Sequence, residues 1–213
     1  MLTPNPPKPL NLKRMGRHKV LFVMATEAEF GAKLKARITP FMCGVGPVEA
    51  AAQVAAGLAG LNERPDMVVS LGSAGSRGLD QGAIYEVSGV SYRDMDASAF
   101  GFEKGTTPFL DLPRLVPVET LILGVPKASL STGANVVSGD GYDTVAEDMV
   151  DMESFAILRV CQMYDLRFVG LRGISDGAKP VEGLSDWTAL LGVIDARLAD
   201  AVDALETALI GLA

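Results

Sequence analysis

The chain has 213 residues, 48% hydrophobic and 21% charged, an ordinary globular balance with enough length for one full core. A formal net charge of −7 excludes a broad basic face for nucleic acid, though not a small anionic ligand held locally. One histidine and two cysteines, Cys43 and Cys161, give no ligand set for a His/Cys metal site, and the cysteines read as buried small hydrophobes.

Residues 1–19 carry four prolines and a basic cluster, and read as an extended tail with Lys13, Arg14, Arg17 and Lys19 solvated. Residues 20–213 then form a single α/β domain. The apolar run 20–25 is too short for a signal-peptide core and leads straight into Glu27 and Glu29. No stretch approaches the length of a membrane span, and the expected location is the cytoplasm.

Run 20–25 reads instead as a buried strand that delivers Thr26, Glu27, Ala28 and Glu29 to a strand-to-helix junction. The two glutamates either charge the first turn of a helix or send one carboxylate into a pocket at the sheet end. Residues 38–43 read as a short strand, followed by Gly44-Val45-Gly46-Pro47 and a helical stretch 48–61. A dinucleotide fingerprint would need a third glycine where Glu49 stands, so a glycine turn with Pro47 at the first helical position is the simpler reading. Residues 67–71 form a buried strand running into Gly72-Ser73-Ala74-Gly75-Ser76. Small residues there either let a ligand approach the backbone or make a plain tight turn. Another strand is expected at 83–90. Residues 91–117 are irregular, with Phe100, Phe102 and Phe109 among prolines and glycines, and a loop of this length suits a subunit contact or pocket lid. Further strand signals fall at 121–125, 128–130 and 135–137, and residues 187–212 have the spacing of an amphipathic covering helix.

Between these lies the most informative stretch, residues 150–176. Apolar residues lie nearly all round the helix expected at 155–164, and 168–171 reads as a strand covered on both faces. Glu153 begins the helix; Arg172 and Asp176 stand where the strand runs out. Ligands of open α/β sheets bind outside the carboxyl ends of strands, so both carboxylates can face one pocket. The structural alternative makes Glu153 a helix-start residue favoured by the dipole and Arg172–Asp176 an ion pair.

Four separated segments follow one known pattern in order: M-A-T-E-A-E at 24–29, G-S-A-G at 72–75, S-G-D-G-Y at 138–142, and V-D-M-E-S…R-G-I-S-D at 150–176. With A-F-G-F-E at 99–103, the chain resembles the nucleoside phosphorylase/nucleosidase superfamily over roughly residues 20–200, most of all the 5′-methylthioadenosine/S-adenosylhomocysteine nucleosidases. The resemblance implies one α/β domain with a mixed, partly closed central sheet flanked by helices, commonly a homodimer. It implies hydrolysis of the N-glycosidic bond of a 5′-modified adenosine without any cofactor or metal. By motif position, Asp176 would protonate N7 of the departing adenine, and Glu29 would activate the attacking water, helped by Ser73 and Arg172. Glu153 would bond the ribose hydroxyls, Met152 would pack beneath the sugar, and Tyr142 would lie against the purine. Phe100 and Phe102 would reach into the partner subunit's site. The chemistry suits these residue types, because adenine is a poor leaving anion and the ribosyl group develops positive charge.

The chain departs from the pattern in four respects. It is shorter between residues 20 and 44, as if a β-hairpin were missing, and between 140 and 153, as if a helix were lost. Thr26 replaces a methionine often found near the 5′-thio group, and the segment after Asp176 matches loosely. A nucleoside phosphorylase is the neighbouring alternative, opposed by the charge of Glu29 beside the nucleophile site. A hydrolase of another 5′-substituted purine nucleoside and a non-catalytic nucleoside-binding protein are the others.

Overall fold

The structure, a computed structural model, describes residues 10–177, 179 and 183–211. Its elements in chain order are β1 (Leu12–Met15), β2 (His18–Met24), α1 (Ala32–Lys35), β3 (Phe41–Met42), α2 (Pro47–Ala59), β4 (Met67–Gly75), β5 (Ile84–Tyr92), β6 (Leu115–Pro117), β7 (Lys127–Thr132), β8 (Met149–Asp151), α3 (Ser154–Met163), β9 (Arg167–Asp176), α4 (Leu184–Thr188) and α5 (Leu191–Gly211). Strands β4, β8, β7, β5 and β9 pair in turn and return to β4, so part of the sheet closes into a ring, while β1, β2, β3 and β6 extend it. Parallel and antiparallel pairs mix, as the family resemblance implies. No helix among the described residues is long and apolar enough to cross a membrane.

The core has two main parts. One side holds α2 and α3 against the ring, with Val54, Leu58, Ile157 and Cys161 buried beside Val87 and Leu130. On the other, α5 presents Ile194, Leu198, Val202, Leu205 and Leu209 to β2 and β9 at helical spacing. Each such side chain contributes about 1.5–3 kcal/mol when fully buried. Helix α1 is tied to α5 by the buried Asp195 carboxylate, which accepts from the amides of Lys33 and Leu34 at 2.9 and 3.1 Å.

Several expectations need correction. The tail reaches no further than residue 11, because Leu12–Met15 pairs antiparallel with His18–Leu21 and Met15 is fully buried. Lys13 meets Glu206 and Lys19 meets Glu63, each at 3.0 Å, so these two lysines are not simply solvated. Residues 1–9 lie outside the described residues. The strand at 38–43 shrinks to two residues. Residues 121–125 make no strand: the amides of Leu121 and Ile122 donate to the fully buried Glu86 carboxylate at 2.6 and 3.2 Å instead of to a ladder. Residues 135–137 are also irregular. The long loop contains a short strand, β6. The expected C-terminal helix is two helices, with a turn at residues 189–190. Residues 25–43 hold no β-hairpin, and residues 140–153 no α-helix, in line with the shortened spacing.

Candidate active site

Strand β2 ends at Met24, and Thr26 in extended conformation caps a 3-10 turn over Glu27–Glu29 by accepting from the Ala28 amide at 3.3 Å. The turn leaves Glu27 in solvent and buries Glu29, which settles which of the two glutamates turns inward. Glu29 Oε1 accepts from the Ser73 amide at 2.7 Å and from Ser73 Oγ at 2.6 Å. Ser73 Oγ in turn accepts from Trp187 Nε1 at 2.8 Å. Burial pushes the Glu29 carboxyl above its ordinary value, against the lowering effect of the Ser73 bonds and of the Arg172 charge.

Ser73 does not follow the end of a strand. Strand β4 continues through Gly72-Ser73-Ala74-Gly75, and β9 beside it continues through Arg172 to Asp176. The two strands stay paired to their ends, with a register shift between Ala74 and Gly75, and together form one wall of the site. Gly75 has a steric reason: a Cβ there would stand 2.4 Å from Tyr142 Oη and 3.0 Å from Asp176 Oδ2. At the end of β9, the Ser175 hydroxyl donates to Asp176 Oδ1.

Arg172 lies mid-strand, almost wholly buried, and does not pair with Asp176. Its guanidinium donates to Asp151 Oδ2 through Nε at 3.2 Å and Nη2 at 3.0 Å, and also to the Ser70 carbonyl and the Ser154 hydroxyl. Asp151 additionally accepts from Thr132 Oγ1 at 2.6 Å and from the Ser154 amide at 3.0 Å, so it, not Glu153, serves the start of α3. Glu153 occupies the N-cap position, but its Oε1 accepts from the distant Gly46 amide at 2.8 Å. Gly46, at φ 93°, and Pro47 at the helix start make the expected glycine turn, which thereby has a second use as a donor to Glu153. Burial and then the Asp151 charge raise the Glu153 carboxyl to about 7.

Glu29, Ser73, Met152, Glu153 and Asp176 line one cavity of about 440 Å³, together with Asp151, Arg93, Trp187 and the apolar Val136, Val137 and Val150. Four sequence candidates do not line it. Arg172 lies behind Asp151 and reaches Glu29 through its charge alone. Tyr142 packs behind Val137 and Val150, with its hydroxyl buried and without a hydrogen bond among the described residues, and valines line the cavity in its stead. Phe100 is 85% exposed, and Phe102 packs edge-on against Phe109. Among the described residues no group of three or more His, Cys, Asp or Glu is disposed to hold a metal.

No protein-family model matches the chain. A 5′-methylthioadenosine/S-adenosylhomocysteine nucleosidase from Haemophilus influenzae (strain PittGG) is 30% identical over 203 residues, covering 81% of this chain and 87% of that protein. The chain belongs to the 5′-methylthioadenosine/S-adenosylhomocysteine nucleosidase family. Solved structures agree on the fold. The nucleosidase of Colwellia psychrerythraea 34H, in complex with adenine, has a TM-score of 0.74 at 22% identity, covering 94% of this chain and 96% of that one. A futalosine hydrolase mutant from Helicobacter pylori strain 26695 has a TM-score of 0.75 at 15% identity, covering 87% of this chain and 97% of that one.

In this nucleosidase, sequence reasoning missed Asp151, Arg93, Val136, Val137 and Trp187. Asp151 stood inside the V-D-M-E-S motif, and a carboxylate two residues before Glu153 was the available signal. Arg93 carried none. Its guanidinium donates to the carbonyls of Ser131, Gly133, Asn135 and Asp151, pinning the wall segment after β7 to β8, a set of contacts that only the fold assembles.

Proposed function

We propose that this nucleosidase hydrolyses the N-glycosidic bond of a 5′-substituted adenosine, of the methylthioadenosine or S-adenosylhomocysteine type, and releases adenine. The observation that carries the reading is the meeting of Glu29, Glu153 and Asp176 in one cavity, each on a different element. Asp176 is the acid: its proton passes to N7 of the base, and the Ser175 hydroxyl on Oδ1 stabilises the carboxylate left behind. Glu29 is the base. With Oε1 occupied by Ser73, its Oε2 makes no hydrogen bond among the described residues and is available to the water that attacks C1′. That water gives its proton to Glu29, and the products are adenine and the free 5′-substituted ribose.

Glu153 accepts from the ribose hydroxyls, and in its ionised form it and Asp151 stabilise the positive charge growing on the sugar. Met152 packs beneath the ribose, and Val136 and Val137 supply the apolar wall for the purine. Arg172 acts at a distance, by holding Asp151 and favouring ionised Glu29. The reading includes a cytoplasmic homodimer with Phe100 and Phe102 directed to the partner's site. It is supported by the exposure of Phe100 and Phe109, at 85% and 98%, on one loop.

The test is adenine release from 5′-methylthioadenosine with and without phosphate, in the parent and in Asp176→Asn. Phosphate-independent release that falls about 10²–10⁴-fold in the variant is expected. Release only with phosphate would make the enzyme a phosphorylase, and an unimpaired variant would remove Asp176 as the acid.

A further inference from the structure

The nucleophile side of the cavity contains a hydrogen-bonded chain whose direction is fixed by chemistry. Trp187, the single tryptophan of the protein, donates from Nε1 to Ser73 Oγ at 2.8 Å, and Ser73 Oγ lies 2.6 Å from Glu29 Oε1. An indole N–H can only donate, and a serine hydroxyl has one proton. With an acceptor site of Ser73 Oγ taken by the indole, the hydroxyl proton is directed to Glu29. The Ser73 amide donates to the same oxygen at 2.7 Å, so both donors converge on Oε1.

Trp187 is carried by α4, a five-residue helix, and lines the cavity beside Glu29 and Ser73. The indole is thus both a wall of the pocket and the outermost donor of the chain. We propose that Trp187 is a positioning residue for hydrolysis: acting through Ser73, it fixes the hydroxyl rotor so that Glu29 presents its other oxygen to the attacking water. The inference rests on the hydrolytic reading for its consequence, although the contact itself does not.

The physical effect has a sign. Donation by Ser73 favours the ionised form of Glu29 and opposes its burial. Without the indole donor, the serine hydroxyl is free to turn, its donation weakens, and Glu29 takes up a proton at higher pH. The acidic limb of the kcat/KM profile therefore moves upward in Trp187→Phe, and further in Ser73→Ala.

The experiment is a double-mutant cycle with Trp187→Phe, Ser73→Ala and the double variant, read as kcat, KM and the pH profile of adenine release. Trp187→Phe is expected to lower kcat about tenfold, the scale of one neutral hydrogen bond. In the Ser73→Ala background the same substitution is expected to leave kcat and the acidic limb unchanged. An equal loss in both backgrounds, or an unmoved acidic limb in Trp187→Phe, overturns the proposal and leaves the indole as a wall alone.

A second readout needs no turnover. Emission from the single tryptophan should titrate with Glu29 in the parent and lose that transition in Glu29→Gln and in Ser73→Ala. Emission indifferent to both substitutions overturns the chain of contacts. A parent that releases no adenine while its emission follows Glu29 would sink the hydrolytic reading and retain the contact, so the two failures are distinguishable.

Discussion

Glu29 and Glu153 line the same cavity, and burial raises both carboxyls, but their surroundings diverge. Glu29 receives two bonds on one oxygen from Ser73, with an indole behind the serine and the Arg172 charge in range. Glu153 receives one amide, from Gly46, and the charges of Asp151 and Arg172 reach both carboxyls. Burial raises both; what differs is the donors, two from Ser73 on Glu29 and one from Gly46 on Glu153, and in the proposed mechanism the first carboxyl is the base and the second the ribose acceptor. Two glutamates in one pocket are therefore not interchangeable.

The comparison is broken or sharpened most strongly by removing each charge in turn. Glu29→Gln should lower hydrolysis about 10²–10⁴-fold while a non-hydrolysed nucleoside analogue still binds. Glu153→Gln should cost about 10–100-fold, the scale of hydrogen bonds to a charged group, and mainly in kcat/KM. Equal losses in steady-state assays would erase the distinction drawn here.

Asp151 acts on both glutamates through its charge and holds the Arg172 guanidinium. Asp151→Ala leaves the Arg172 guanidinium buried without its counter-charge, and should lower stability by about 3–5 kcal/mol in urea denaturation. A loss under 1 kcal/mol would mean that Ser70 and Ser154 suffice to hold Arg172.

The pH dependence of stability separates the glutamates more finely. A carboxyl raised by folding keeps its proton longer in the native state, so its contribution is complete below the ordinary value of 4.5. For Glu153 that contribution is lost as pH rises through about 7. Stability measured between pH 4.5 and 7.5 should fall through this window, and Glu153→Gln should flatten most of the decline. A slope unchanged in the variant would assign it elsewhere, Glu29 first. The smallest effect is expected at Tyr142. Its buried hydroxyl has no partner among the described residues, so Tyr142→Phe should be neutral or stabilising by about 1 kcal/mol at most, with KM unchanged. A raised KM would return Tyr142 to the purine.

Much of the cavity lining was legible because it sits in short, ordered motifs: Glu29 after a strand, Ser73 between glycines, Met152 and Glu153 before a helix, and Asp176 after an apolar run. Tyr142 does not line the cavity, where Val136 and Val137 do, so S-G-D-G-Y matched by residue type more than by position. The strand signal at 121–125 failed for a related reason. β-propensity describes a surface that fits a sheet, and here the amides at its start went to a single buried carboxylate, Glu86.

The amino-acid sequence by itself determined the apolar cores of β2, β4, β9 and α3, the α/β class, and the places of Glu29, Glu153 and Asp176 near strand and helix ends. Those follow from local periodicity and from side chains that must be buried or kept wet. Only the tertiary structure decided which carboxylate Arg172 pairs with, which glutamate Gly46 serves, and that Trp187 closes a hydrogen-bonded chain on Ser73. These contacts join residues 21 positions apart for Arg172 and Asp151, 107 for Gly46 and Glu153, and 114 for Ser73 and Trp187. No local propensity encodes them; they exist because the fold brings the ends of separate elements to one cavity.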